Sequence, residues 1–279
     1  MNALQTAAVA VALIVAAWSQ SADKADAASP WVDLPASRVR LVASPAKTAR
    51  GSYLAGLEIV MAEGWKTYWR TPGDAGVPPT FDWSGSANAA SIKVLYPAPM
   101  RMPEAGAEVI AYKHAVLFPI EVTPKDAAKP VALELALEYG ICRDICISAT
   151  TTLELSLPPS RDDYSDAIKA AIARVPRPQH SRRKADPELK RVAVDGDASA
   201  PRLAIEAKFH GGSNGADVFV EAPDGLYVPL PRKLAEAPGG IIRYETKLSQ
   251  DLVRALRGKT LTLTLVSETG ATEAQWPFP

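Results

Sequence analysis

The sequence predicts an all-β protein: two antiparallel β-sandwich domains joined by a helix-containing linker. Three observations carry this. From residue 37 to residue 158, short alternating runs are separated by Pro and Gly clusters with no helical period between them: "SRVRLVAS", "SYLAGLEIVMA", "PPTFDW", "SIKVLYP", "AVLFPIEV", "VALELALEYGIC" and "ISATTTLELSLP". A second set of the same kind follows: "LKRVAV", "RLAIEAKF", "ADVFVEAP", "GIIRYETKL", "TLTLTLVS" and "EAQWPF". Between the two sets lies the one long segment of helical period. The total of 279 residues suits two compact units of about 100 to 150 residues each better than one.

Taken in order, the chain opens with "MNALQTAAVAVALIVAAWSQSADKADAASP". Its run Thr6 to Trp18 is apolar and small throughout. It is too short for a stable span and suited to a signal-peptide core, although no Lys or Arg precedes it. Residues 1–27 are therefore expected to be a signal peptide, cut after Ser21 or, by the A-x-A of Ala25 and Ala27, just after Ala27. The first sandwich is expected over 31–158. In "SRDDYSDAIKAAIARVP", Ser160 can cap a helix with Asp163 three residues on, while Tyr164, Ile168, Ala171, Ile172 and Val175 form one stripe ended by Pro176. "RPQHSRRKADP" has no period and reads as a solvated basic linker, completing a connection over 159–186. The second sandwich occupies 187–279. Within it Leu261, Leu263 and Leu265 share one face of a half-buried strand and Thr260, Thr262 and Thr264 the other, and Ser249 caps one short helix.

Lys plus Arg equals Asp plus Glu at 31 each, which argues against nucleic acid or an anionic membrane as partner. Removing residues 1–27 takes one Lys and two Asp, so the remainder stays near neutral. No later stretch approaches 18 apolar residues, so no membrane insertion is expected after signal removal.

The chain has two cysteines, Cys142 and Cys146, in "LEYGICRDICISATTTL". Strand parity puts Val131, Leu133, Leu135, Leu137, Tyr139 and Ile141 on a buried face and Glu134, Glu138 and Cys142 on the opposite one. Cys146 follows the parity of Ser148 and Thr150, so both sulfurs are expected on the solvated side where two strands join. As a staple the pair is weak. Closing about five residues removes roughly 2 kcal/mol of unfolded-state entropy, against more than about 4 for a bridge closing on the order of 70. A soft-metal site stays open, since two thiolates can grip Cu(I) with thioether help from Met100 and Met102 and with His114. Thiol–disulfide exchange is the favoured reading, with Cys142 as attacking sulfur because Arg143 beside it favours the thiolate, although Asp144 opposes. No organic cofactor is expected.

The segment "EGWKTYWRTPGDAGVPPTFDW" concentrates Trp65, Trp69, Trp83, Tyr68 and Phe81 around turns at Gly73 and Gly76, and reads as an aromatic mini-core bracing a long loop.

Together, "GWKTYWRTPGDAGVPPTFDW", "YPAPMRMPEAG", "AYKHAVLFPIEV" and "YGICRDICISATTTLEL" resemble the N-terminal periplasmic domain of the DsbD family of thiol:disulfide interchange proteins, with the closer likeness to its ScsB branch, linked to copper tolerance. The resemblance runs over about residues 35 to 158 in matching order; residues 187–279 are similar to the second sandwich of that branch. It implies an immunoglobulin-like fold and a redox pair, here Cys142 and Cys146. It also implies a cap over the pair at Met102 to Ala107, with Met102 where the family carries an aromatic, and supporting roles for Tyr68 and Tyr112. The implied partners are a membrane thiol reductase module, which supplies electrons, and periplasmic thioredoxin-like proteins, which receive them. Within these 279 residues there is neither a multi-helix membrane portion nor a C-x-x-C, so either a separately encoded membrane partner reduces the pair or the protein serves another binding role.

Overall fold

The computed structural model describes residues 26–104, 106–197 and 199–279. Among the described residues eleven strands precede the first helix: β1 (Val32–Leu34), β2 (Ser37–Lys47), β3 (Tyr53–Met61), β4 (Lys66–Gly73), β5 (Thr80–Asp82), β6 (Ala89–Val94), β7 (Met100–Glu104), β8 (Ala107–Lys113), β9 (Ala115–Pro124), β10 (Val131–Cys142) and β11 (Cys146–Leu157). Helix α1 (Ser165–Ala173) and the short β12 (Arg177–Pro178) follow. The remainder is β13 (Glu188–Asp195), β14 (Arg202–Lys208), β15 (Asp217–Glu221), β16 (Arg232–Ala237), β17 (Ile241–Lys247), α2 (Gln250–Leu256), β18 (Thr260–Ser267) and β19 (Gly270–Pro277). The protein is all-β in class, and its sheets stack as sandwiches.

A sheet ordered β1-β2-β3-β9-β6 packs on one ordered β11-β10-β4-β8-β7, with β5 added to β10. Alternation explains the packing: Leu41, Leu57, Phe118 and Ile120 from the first sheet meet Leu133, Leu135, Tyr139 and Leu153 from the second, all buried in one cluster. Strands β4, β7 and β8 of the first sandwich lie outside the runs that alternation picks out. Strand β4 lies inside the aromatic segment, and β7 and β8 form a hairpin across the expected cap. The glycines flanking β4 supply the turns that made it look like a loop, with positive φ at Gly73 and Gly76 as expected. A Cβ at Gly76 would collide with the Tyr68 ring, so only glycine lets this backbone lie against the aromatic.

The later strands form a sheet ordered β12-β19-β18-β15 and another ordered β13-β14-β17-β16. Leu261, Leu263 and Leu265 are buried between them, as the alternation requires. The opposite face of β18 is not solvated throughout, because Thr264 is fully buried. That face lies against the earlier strands, and Phe219, Leu230, Val266 and Ala271 join the first hydrophobic cluster. Trp69 and Phe219 meet there with ring centroids 5.8 Å apart.

Two expectations about the connection are corrected. Helix α1 starts at Ser165 with Tyr164 as N-cap and no side-chain cap, not at Ser160. Ile168 anchors the helix on Val42 and Leu54 of the first sheet. The basic stretch after it is pinned in place: β12 pairs with β19, Thr269 Oγ1 donates to the Ala185 carbonyl at 2.7 Å, and Thr272 Oγ1 donates to the Pro187 carbonyl at 3.0 Å. Asp186, fully buried, accepts from Arg183 N at 2.8 Å and from its guanidinium at 2.8 Å. By contrast, the cap of α2 is as read, with Ser249 Oγ accepting from Leu252 N at 3.1 Å.

Burial alone would push the Asp186 carboxyl up, but the hydrogen bonds from Arg183 outweigh it and hold the group below the usual carboxylate range. With a depressed folded-state pKa, its stabilising contribution is complete above the unfolded value of about 3.9 and is lost as pH falls through the folded one. Asp186→Ala should therefore cost about 1–3 kcal/mol at pH 7 in urea unfolding. The gap between mutant and parent should narrow on acidification toward about pH 3.

Candidate functional site: a half-covered disulfide at a sheet end

Strands β10 and β11 pair continuously from Val131 with Leu157 to Cys142 with Cys146, and the three-residue turn Arg143 to Ile145 closes the hairpin. The cysteines are therefore cross-strand neighbours, with Cα atoms 4.2 Å apart and the sulfurs joined in a disulfide. The expected face is correct; the expected exposure holds for one sulfur only. Cys146 is exposed, whereas Cys142 is 1% exposed. Along β10 burial alternates from Val131 to Glu138 and then stops, with Tyr139, Gly140, Ile141 and Cys142 all buried. The outer face at this end is covered: Tyr68, Val109 and Ala111, with Met102 against them, pack on Cys142.

The register supplies this cover. Lys66 on β4 lies opposite Cys142, and Tyr68 lies opposite Ala111 on β8. On the edge strand β7, Met100 and Met102 pair with Ala111 and Val109, so Met100, Met102 and Glu104 point to the cysteine face. Glu104 reaches the sulfurs. Its Oε1 accepts from Tyr68 Oη at 2.8 Å and lies 3.6 Å from Cys146 Sγ, while Tyr68 Oη is 3.5 Å from the same sulfur. Its Oε2 faces Lys66 Nζ at 2.8 Å, an ion pair whose angles fall outside hydrogen-bond range. Both side chains are nearly covered, at 9% and 11% exposure. Burial, then the Glu104 hydrogen bond and charge, push the Tyr68 phenol well up, so it stays a protonated donor.

The other residues singled out from the sequence fall as follows. Met102 lies in the cover. Tyr112 is on the opposite face of the sheet, in the core, donating to the Pro97 carbonyl at 2.7 Å and packing on Phe118. Arg143 turns its guanidinium to Asp144 at 2.8 Å and over the Trp65 ring, so its charge is shared with a carboxylate. That removes the basis for Cys142 as the attacking sulfur. Of the metal-donor set, Met100 stands at the far end of β7, and His114 sits exposed in the β8–β9 turn with positive φ. Among the described residues, the carboxylate, thiol and imidazole donors that converge within 4.8 Å are Glu104, Cys142 and Cys146. Glu104 and Lys66 were missed in the sequence. Their signal was the alternation of Lys66 with Tyr68 and of Met102 with Glu104, visible only once both segments are recognised as strands.

No helix among the described residues is long and apolar enough to cross a membrane. The family model described as "Thiol:disulfide interchange protein DsbD, N-terminal" matches residues 38–158. No curated protein sequence matches the chain. The solved N-terminal periplasmic domain of ScsB from Proteus mirabilis shares the fold, with a TM-score of 0.71 and 23% identity over 91% of this chain and 98% of that one. The sheet end carrying Cys142 and Cys146 thus lies inside the matched segment, and residues 38–158 belong to the DsbD N-terminal family of thiol:disulfide interchange modules.

Proposed function

We propose that this protein is an exported carrier of reducing equivalents, exchanging disulfides with partners through Cys146 while Cys142 resolves. The observation that carries the reading is the asymmetry of the pair: one sulfur is open to a visiting thiolate, and its neighbour is shielded. The DsbD-type segment supports it. In the reduced state the Cys146 thiolate attacks a sulfur of the partner's disulfide, and the partner's second sulfur leaves as a thiolate and takes up a proton. The Cys142 thiolate then attacks Cys146 Sγ, the intramolecular disulfide forms, and the partner departs with two electrons gained. Recharging runs the same steps in reverse. The family supports a membrane thiol reductase module as donor and periplasmic thioredoxin-like proteins as acceptors.

In this reading residues 31–158 form an immunoglobulin-like redox domain, 159–186 connect it, and 187–279 form a second sandwich. The expected signal peptide, residues 1–27, lies outside the described residues apart from Asp26 and Ala27. Ala27 is buried and its carbonyl accepts from Ala43 N at 2.8 Å, which favours cleavage after Ser21 over cleavage after Ala27. The soft-metal alternative loses His114 and gains a carboxylate already paired to Lys66, so the geometry favours exchange.

Trapping tests the reading. In a periplasmic extract Cys142→Ala, which keeps the attacking sulfur and lacks the resolving one, should accumulate mixed disulfides that reductant dissolves. Cys146→Ala should accumulate none, and equal trapping by both variants or by neither would contradict the assignment. The cover makes a second expectation. A carboxylate 3.6 Å from Cys146 Sγ disfavours the thiolate, and Glu104→Gln removes that charge while leaving Lys66 behind. The Cys146 thiol pKa, followed by the pH dependence of alkylation in reduced protein, should fall by about one unit or more.

A further inference from the structure

Strands β7 and β4 and the turn that begins at Asp74, which cover the disulfide, are gripped from behind or from the side by the later residues. Strand β7 ends its sheet, so on one side it has only β8. Its even-numbered residues face the sulfurs, and Arg101 projects to the reverse face. There Arg101 Nε and Nη2 each donate to the Asp217 carboxylate at 2.8 Å, and Nη2 also donates to the Pro231 carbonyl at 2.8 Å. Within its own hairpin Arg101 Nη1 reaches Glu108 at 2.7 Å. The Arg101 and Asp217 side chains are each 17% exposed, dry enough for a bidentate pair to hold position. On the opposite rim, Tyr227 Oη donates to Asp74 at the start of the turn that lays Gly76 on the Tyr68 ring and Val77 beside Gly140. Strand β4, which carries Lys66 and Tyr68, is held two residues beyond Tyr68. Arg70 donates to Glu221 at 2.6 and 2.8 Å and to Glu273 at 2.7 Å, and Thr71 donates to Glu221 at 2.9 Å.

We propose that the second half of the chain is the positioning element of the redox site: Asp217 and the Pro231 carbonyl, by holding Arg101, keep Glu104 and Met102 over the sulfurs, and Tyr227 holds the facing turn. Loosening this grip uncovers the disulfide without unfolding the sandwich that carries it. The inference rests on the exchange reading for its meaning, since it assigns to residues 187–279 control over how readily Cys146 is attacked.

The test uses the full-length oxidised protein and dithiothreitol as probe. A dithiothreitol thiolate attacks Cys146 Sγ, the bond to Cys142 breaks, and Cys142 leaves as a thiolate and is protonated. The second dithiothreitol thiol closes its ring and releases Cys146, so two electrons come from the reagent. The rate is read by quenched alkylation and mass spectrometry, with near-ultraviolet circular dichroism reporting the fold. Asp217→Ala should accelerate reduction about tenfold, as for a local opening made cheaper by the lost clamp. Asp217→Asn and Tyr227→Phe, which remove less, should each accelerate it about threefold. Asp186→Ala, destabilising but remote from the cover, should leave the rate unchanged. Parental rates in folded Asp217→Asn and Tyr227→Phe would overturn the proposal, as would equal acceleration by Asp186→Ala, which would make the effect global unfolding. Because the reductant is a small dithiol, failed partner trapping leaves this result standing, and a null result here leaves the exchange reading standing.

Discussion

The ion pair of Lys66 with Glu104 is the constraint on which the site depends. Two opposite charges, each about nine-tenths covered, sit on the outer face of a β-sandwich where solvent would ordinarily be. Removing one partner from such a pair costs about 3–5 kcal/mol, because the other is left buried and unmatched. The pair therefore fixes where β7 ends relative to β4. With that distance fixed, Tyr68 has an acceptor for its phenol, Met102 has a wall to pack on, and Cys142 is sealed beneath them. Cys146, on the far side of a three-residue turn, is left outside. The asymmetry of the sulfur pair is thus set by a charge pair that reaches across β8, from β4 to β7.

The arrangement separates access from reactivity. Access belongs to Cys146, beside the exposed loop of Arg143, Asp144 and Ile145. Reactivity is governed by what surrounds it, a carboxylate and a phenol within 3.6 Å of the sulfur. The carboxylate restrains thiolate formation, and Lys66 limits how strongly it does so. The later strands enter because β7 and the 74–77 turn are peripheral pieces with little hold of their own. Asp217 and Tyr227 bind those pieces, and Glu221 binds β4 beside the contact of Trp69 with Phe219. Three carboxylates of residues 187–279, Asp217, Glu221 and Glu273, pair with the arginines of β7 and β4.

Much of the frame was legible in the sequence. The long alternating strands β2, β3, β9, β10, β11 and β18 follow from period-2 patterning with turn residues at their ends, and the cap of α2 follows from Ser249. The cysteine pair and its sheet face were legible for the same reason. What could not be read was what lies against that face. Alternation reports which side of a strand a residue occupies, and it assigns solvent to the side without a neighbour in sequence. Here Tyr68, Met102 and Val109 come from distant segments and cover it. Strand β4 was hidden because its side chains are buried on both faces and its flanks are glycine turns. Glu104 was hidden because a carboxylate next to Pro and Gly reads as part of a solvated turn. The stretch around Asp186 failed likewise, since a run of basic residues gives no hint that one acidic residue within it is buried among their donors.

The account stands on one sulfur being reachable and the other shielded in the native fold. Brief iodoacetamide treatment of the reduced, folded protein, followed by peptide mapping, measures this directly. The account expects Cys146 to be carbamidomethylated first, with Cys142 labelled at a comparable rate only after denaturation. Equal labelling of the two in the native protein, or labelling of Cys142 first, would contradict it.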